Sequence, residues 1–488
     1  MKYILLYLPF ALGYLLQDTP TASYAVSWFG SFFILWMTLS GRVKPLPEGR
    51  SLSLQFFRPI VFAQIVFASY TVLSSIFYFR ALLSGNLRAN SMGWTATLPL
   101  AAEAQSYYVL AHAAVVTGML IAMNYSDSGQ YRSVARVGAN RLLLIFATAF
   151  FIVSQVTGLI GPLRELTLRL AQIAIVASVF SFALSLIHRQ GTLVWVNAGV
   201  FGANLLAALL SGWKEEVVVL MLLFLVALFP YYRRATLIAG AVAFSVFVAV
   251  MPAYSNAYRT LAWYGNASGE DAIKLAYHQV MTGAVDVGEA TESFAILRVS
   301  EIGLFVGYLL KIPDERPFYG LKLAEQAVTS LIPRIIWQGK PNTEKLVMER
   351  VYDNEIYSRD SRISAKPQYV VDAYLSAGVA GILIAGVIYG ALASLISRIA
   401  ERWFGGYTMG SGLVFASLFQ VFWRGNSFEF FFGTIFWSFL VMFALFQAGR
   451  RFGILVRVPD AVRRSPTYGA LVPTRRLLPG AKRYDPAT

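Results

Sequence analysis

Apolar runs recur along this chain from Tyr3 to Gln447, separated by short polar turns and by one long polar interruption. A helix that crosses the hydrocarbon core of a bilayer needs about 20 apolar residues, each adding 1.5 Å of rise. Measured against that length, the pattern predicts about twelve spans, at 3–16, 21–40, 59–82, 105–125, 142–162, 170–187, 192–212, 217–230, 235–254, 371–397, 408–423 and 427–447. The first, eighth and eleventh are short, which predicts tilting, extension by flanking residues or partial re-entry. The fold expected is an all-α polytopic membrane protein. It divides into helices 1–9 (1–254), a long loop with amphipathic helices (255–370), helices 10–12 (371–447) and a basic tail (448–488).

Composition supports the same solvent. Hydrophobic residues make up 57% and charged residues 14%, against about 45–50% and 25% in soluble domains. The absence of cysteine excludes thiolate nucleophiles, zinc–cysteine sites and disulfides. Three histidines, His112, His188 and His278, leave little for a metal centre. The net charge of +15 would point to nucleic acid in a soluble protein, but in a membrane protein it records orientation. With the amino terminus inside, the alternating segments on that side carry a net +17, while 255–370 holds 13 basic and 14 acidic residues. Both termini are therefore expected in the cytoplasm and the long loop outside. Lys2, the first apolar run and Thr21 to Ala25 also fit the outline of a signal peptide, but cleavage there would cut into the second run. The tail is expected to lie near anionic headgroups.

Chemistry is sought in the 116 residues of the loop and in the polar breaks on its side. A loop of that length is usually functional. Phe294 to Leu310, interrupted by Arg298 and Glu301, suits a helix in the interface or capping a cavity. Leu321 to Leu331 reads as a second amphipathic helix, followed by a basic, aromatic turn from Arg334 to Pro341. The cations gathered on this side are Lys214, Arg259, Arg298, Arg334, Lys340, Arg350, Arg359, Arg362, Lys366 and Arg424. Acidic neighbours nearly cancel them, which favours specific sites over a polyanion surface. Guanidinium groups match phosphate oxygens bidentately. Lys214 and Arg424, at helix ends, either snorkel to the headgroups or face a polar cavity. Glu215, Glu216, Asp353, Glu355, Asp360 and Asp372 read first as ion-pair partners; a general base is any of these or His278. His112 and His188 read as structural. No P-loop, HExxH or GxSxG occurs.

Arg298-Val299-Ser300, Pro317-Phe318-Tyr319-Gly320-Leu321, Ile332-Pro333-Arg334-Ile335-Ile336-Trp337 and Gly339-Lys340-Pro341, in that order, resemble the bacterial oligosaccharide repeat-unit polymerases, the O-antigen polymerase (Wzy) family. Ser211-Gly212-Trp213-Lys214 and the Gly-rich helix from Tyr374 to Tyr389 resemble it too, although Lys214 stands where an Arg is commoner. The resemblance implies a GT-C-like, multi-pass glycosyltransferase of the inner membrane that works without metal or other cofactor. Its substrate would be oligosaccharide on undecaprenyl pyrophosphate, polymerised into a surface glycan such as the O-antigen of lipopolysaccharide. A chain-length regulator is an implied partner; nucleic acid is not. By this resemblance Arg298, Arg334 and Lys340 are catalytic, and Lys214, Arg259, Tyr319, Trp337, Arg359, Arg362 and Arg424 bind substrate. An O-antigen ligase is the nearest alternative; it would place a His with Arg late in the loop, where this chain has none. A lipid-linked oligosaccharide flippase or other transporter is the second.

Overall fold

The computed structural model describes residues 2–47, 51–85, 97–133, 139–159, 164–210, 214–261, 268–332, 336–360 and 365–459. Among these the chain is almost wholly helical, with one antiparallel strand pair, β1 (Tyr131–Ser133) with β2 (Leu455–Arg457). Eight helices are long and apolar enough to cross a membrane. The other four predicted segments form shorter apolar helices, Lys2–Leu15, Gly191–Leu206, Val217–Leu228 and Thr408–Leu418. The chain is thus an all-α protein of the polytopic membrane type. The helix Arg233–Arg259 leaves Leu237, Ile238, Val242, Phe244, Val246 and Val250 exposed, a surface that hydrocarbon satisfies and water does not.

Eight helices position the site: α1 (Pro20–Leu39), α2 (Pro59–Val66), α3 (Leu98–Ala122), α4 (Lys322–Leu331), α5 (Thr343–Asp353), α6 (Tyr369–Trp403), α7 (Val421–Arg424) and α8 (Phe428–Arg451). The centre is α3, apolar on every side and buried along most of its length, as a helix enclosed by others must be. It packs directly on α6 because small residues remove the side chains between them. A Cβ at Gly390 would overlap the carbonyl of Val115, one at Gly118 the carbonyl of Val387, and one at Gly386 would press on Ala114. Gly386 and Gly390 form the Gly-x-x-x-Gly spacing that lets backbones approach in lipid. The contacts keep one register, so α3 and α6 run in the same direction. So do α1 and α3, through Ser27–Ser106 and Gly30–Val109, and α6 and α8, through Tyr389–Phe431 and Trp403–Phe446. These are the second, fourth, tenth and twelfth predicted segments, which alternation requires to be parallel.

The first turns of α6 depart from this order. Ala377 (φ −159°, ψ 32°) and Gly378 (φ 60°, ψ −139°) break the helix, and Gly378 lies in the left-handed region where a Cβ is costly. Tyr369 and Tyr389 then stack at 4.1 Å between ring centres, whereas 20 residues of straight helix would separate them by about 30 Å. The arm from Tyr369 to Ser376 therefore folds back along the span and carries its first residues into the bundle. The reversal frees carbonyls that the loop satisfies: Tyr319 N donates to Leu375 O at 2.8 Å and Gly320 N to Ser376 O at 3.0 Å. The ring of Phe318 covers Gly378.

The stretch from Phe294 to Leu310 corrects an expectation. It is not one interfacial helix; a π-helical turn, Ala295–Val299, and extended Ser300 break it, and Ile302–Leu309 is buried in the core. Glu301 is held at the break by the hydroxyl of Tyr70 at 2.7 Å, and Gly303 lies against the ring of Tyr78.

The glycine seam gives a paired prediction. Gly390→Ala should destabilise by about 1–3 kcal/mol, the range for overpacking, and lower the thermal midpoint in detergent by several degrees. Gly199→Ala, where nothing lies within 4 Å of the added methyl, should leave the midpoint unchanged or slightly raised.

Candidate functional site

Three ionisable side chains from three elements meet where the loop enters the bundle. Arg350 comes from α5, Asp372 from the folded-back arm of α6 and Glu429 from the first turn of α8. Arg350 Nη1 donates to Glu429 Oε1 at 2.9 Å, and Nη2 lies 3.0 Å from Asp372 Oδ1 and 3.2 Å from its Oδ2. Arg350 is 2% exposed at its side chain and both acids 0%. Charges this far from water persist only when paired and hydrogen-bonded. Burial opposes the charge on Arg350, but Asp372 and Glu429 outweigh it and hold the guanidinium above its ordinary value. Asp372 also accepts from Phe428 N at 2.8 Å, which satisfies an amide that the start of α8 leaves without an intrahelical partner.

The loop is tied to this hub by further polar contacts. Ser330 Oγ, near the end of α4, donates to Glu429 O at 2.9 Å. Lys340 Nζ donates to Ser330 O at 2.5 Å and Ile332 O at 2.8 Å, where helical carbonyls lack partners. Asn354 Nδ2 donates to Tyr319 Oη at 2.8 Å and to Arg350 O at 2.7 Å.

Beside the hub, Tyr369 N donates to Gly425 O at 3.0 Å and the chain closes around a recess of about 20 Å³. Its polar lining includes His112 from the middle of α3, Gln64 from α2, Thr71 from the π-helical turn Phe67–Leu73, Tyr369 and Tyr389 from α6, and Arg424 at the end of α7. Both ring nitrogens of His112, Gln64 Oε1 and Tyr369 Oη are buried without hydrogen-bond partners among the described residues. Buried polar atoms are nearly always bonded to protein or water, so four in one recess mark a place for a hydrogen-bonding guest. The residues predicted from sequence distribute as follows. Arg424 lines the recess, Lys340 and Tyr319 join the hub, and Trp337 is 39% exposed beside exposed Ile336. Arg359 lies on the surface, paired with Glu349 at 2.7 Å and Asp353 at 2.8 Å. Glu355 is likewise paired, with Arg316 and Lys311. Arg334 and Arg362 lie outside the described residues, as do the side chains of Lys214, Arg259 and Arg298. No group of three or more histidines and carboxylates that would hold a metal occurs among the described residues.

A family model described as a domain of unknown function, DUF8712, matches residues 8–457. The chain belongs to the DUF8712 family. No curated protein and no solved structure matches it. The DUF8712 match takes in every apolar helix from Leu8 onward, the hub and the recess, and ends at β2.

In this DUF8712 protein the hub contains one residue that sequence reasoning missed, Glu429, and gives another, Arg350, a role beyond that of a loop cation. The available signal was a lone acid in the first turn of an otherwise apolar span, which is expensive in a membrane unless paired. Arg350→Met should destabilise by about 3–5 kcal/mol, because it leaves two buried carboxylates without their counter-ion. The triple change Arg350→Met, Asp372→Asn, Glu429→Gln should recover much of that loss. Thermal unfolding in detergent measures both.

Proposed function

We propose that this protein polymerises oligosaccharide repeat units carried on undecaprenyl pyrophosphate, at the outer face of a bacterial inner membrane, as a metal-independent GT-C-like glycosyltransferase. The observation that carries the reading is the concentration of buried polar chemistry at one place in an apolar bundle, the recess with Arg424 beside the hub that anchors the loop. In the reaction a sugar hydroxyl of one unit attacks the anomeric carbon of another, and the bond to pyrophosphate breaks with its electron pair. Negative charge grows on the leaving group, and fixed cations stabilise it most when water is excluded. We assign that role to Arg424, which lines the recess. By the resemblance Arg298 and Arg334 are catalytic and Lys214, Arg259 and Arg362 bind substrate, with Trp337 against lipid or sugar. Lys340 and Tyr319 act by holding the loop.

The opposite end of the bundle supports the orientation. There Lys44 and Arg398 donate to the last carbonyls of α3, the basic bias of a cytoplasmic face. Both termini follow as cytoplasmic in a scheme of twelve spans. One feature favours a second reading, transport of the lipid-linked oligosaccharide: the broken, folded-back start of α6 is the kind of discontinuous helix that transporters use at anionic substrate sites.

The two separate in a deletion strain. Loss of the gene should leave surface glycan carrying single repeat units in place of a ladder, and restoring the gene should restore the ladder. Arg334→Ala and Arg424→Ala should abolish the ladder with normal amounts of protein in the membrane. A lipid-linked ladder that never reaches its acceptor would mean a ligase, untransported units would mean a transporter, and an unchanged surface glycan would contradict the reading.

A further inference from the structure

Three of the carboxylates considered as general base, Asp353, Glu355 and Asp372, are engaged elsewhere, and the side chains of Glu215 and Glu216 lie outside the described residues. Asp353 and Glu355 pair with surface cations, and Asp372 is held between Arg350 and Phe428 N. His112 is different. It is 1% exposed, stands in the middle of α3 with the ring of Phe67 at 4.9 Å, lines the recess, and carries two ring nitrogens without partners among the described residues. No carboxylate is among the described residues that line that recess, and a neutral imidazole keeps one nitrogen as an acceptor. The volume of about 20 Å³ suits one oxygen-sized group, since a water needs about 10–15 Å³ of such space and two to four polar partners. Gln64 Oε1 and Tyr369 Oη are those partners, and the adjoining π-helical turn is a distortion that recurs at functional sites.

We propose that the recess is a hydroxyl-binding site in which His112 is the proton acceptor. The guest is an O–H group, from an acceptor sugar or from water. Its oxygen forms the new bond to the anomeric carbon, its proton passes to a ring nitrogen of His112, and the carbon–oxygen bond to pyrophosphate breaks with its electron pair. Arg424, which lines the same recess, is assigned to the leaving charge. The assignment rests on the polymerase reading and adds the residue that takes the proton.

The test uses the full chain in lipid nanodiscs with a lipid-pyrophosphate-linked repeat unit, reading polymer and free oligosaccharide separately. Polymer reports a sugar hydroxyl as guest and free oligosaccharide reports water. His112→Gln should lower the product by about 100-fold, a typical size for general-base catalysis, and Tyr369→Phe by less. Wild-type rates from folded His112→Gln protein would overturn the inference and leave the polymerase reading standing. No product of either kind from wild type would overturn that reading itself. A second measurement needs no turnover. His188→Gln with His278→Gln leaves His112 as the sole histidine, and ¹⁵N resonances of its ring report hydrogen bonding. One donating and one accepting nitrogen, both shifting in Gln64→Ala and Tyr369→Phe, is the expected result; unbonded shifts indifferent to both changes would overturn the site.

Discussion

A single guanidinium buried against two carboxylates joins the outer loop to the spans. Arg350 brings α5, Asp372 brings the folded-back arm of α6, and Glu429 brings the start of α8. None of the three charges tolerates that environment alone, so the elements that carry them are constrained to arrive together. The long helix α6 is pinned in the same way at its far end. There Arg58 donates to both oxygens of Glu401 at 2.8 and 2.9 Å, and Ser128 and Ser411 complete the carboxylate's partners at 2.7 and 2.8 Å. Between these two clusters the closest backbone approach to α3 is made at glycines, with Arg398 Nη1 donating to Ala122 O at the end of α3.

The outer hub also explains why a polar recess exists inside an apolar bundle. Asp372 lies one turn from Tyr369, and Asp372 binds the amide of Phe428 while Tyr369 binds the carbonyl of Gly425. The turn between α7 and α8 is thereby held against the arm of α6, which brings Arg424 and Tyr369 to the recess that His112 also lines. Without the reversal at Gly378 the first residues of α6 would extend away from Tyr389, and no polar side chain from that segment would face α3. Loop docking, the reversed arm of α6 and the recess meet at this one ion cluster.

Much of the fold was legible in the sequence because apolar length is a local property. All twelve apolar segments appear as helices, eight of them long enough to cross a membrane, and the parallel register of four follows from simple alternation. The site was less legible because its geometry is not local. Asp353 and Glu355 read correctly as ion-pair partners, since their cations lie nearby on the loop surface. His112 read as structural because a lone histidine in an apolar run has no neighbour in sequence to define its role; Arg424 and Tyr369 reach it only through the fold. The reversal was hidden in a glycine-rich span, where glycine is common and only Gly378 among its glycines takes a positive φ. Lys340 and Tyr319, expected in catalysis and substrate binding, make hydrogen bonds that tie the loop to the hub.

The buried ion cluster docks the outer loop on the spans. The native chain has no cysteine, so an engineered pair reports one contact without competition. A Cβ at Gly433 of α8 lies 3.9 Å from that of Ser330 in α4, close to the mean of about 3.8 Å in disulfides. Ser330→Cys with Gly433→Cys should form that bond readily in otherwise native protein, as mapped by mass spectrometry of unreduced peptides, and slowly or not at all when Arg350→Met is added. A pair that never bonds, or one that bonds equally well without Arg350, would contradict the account.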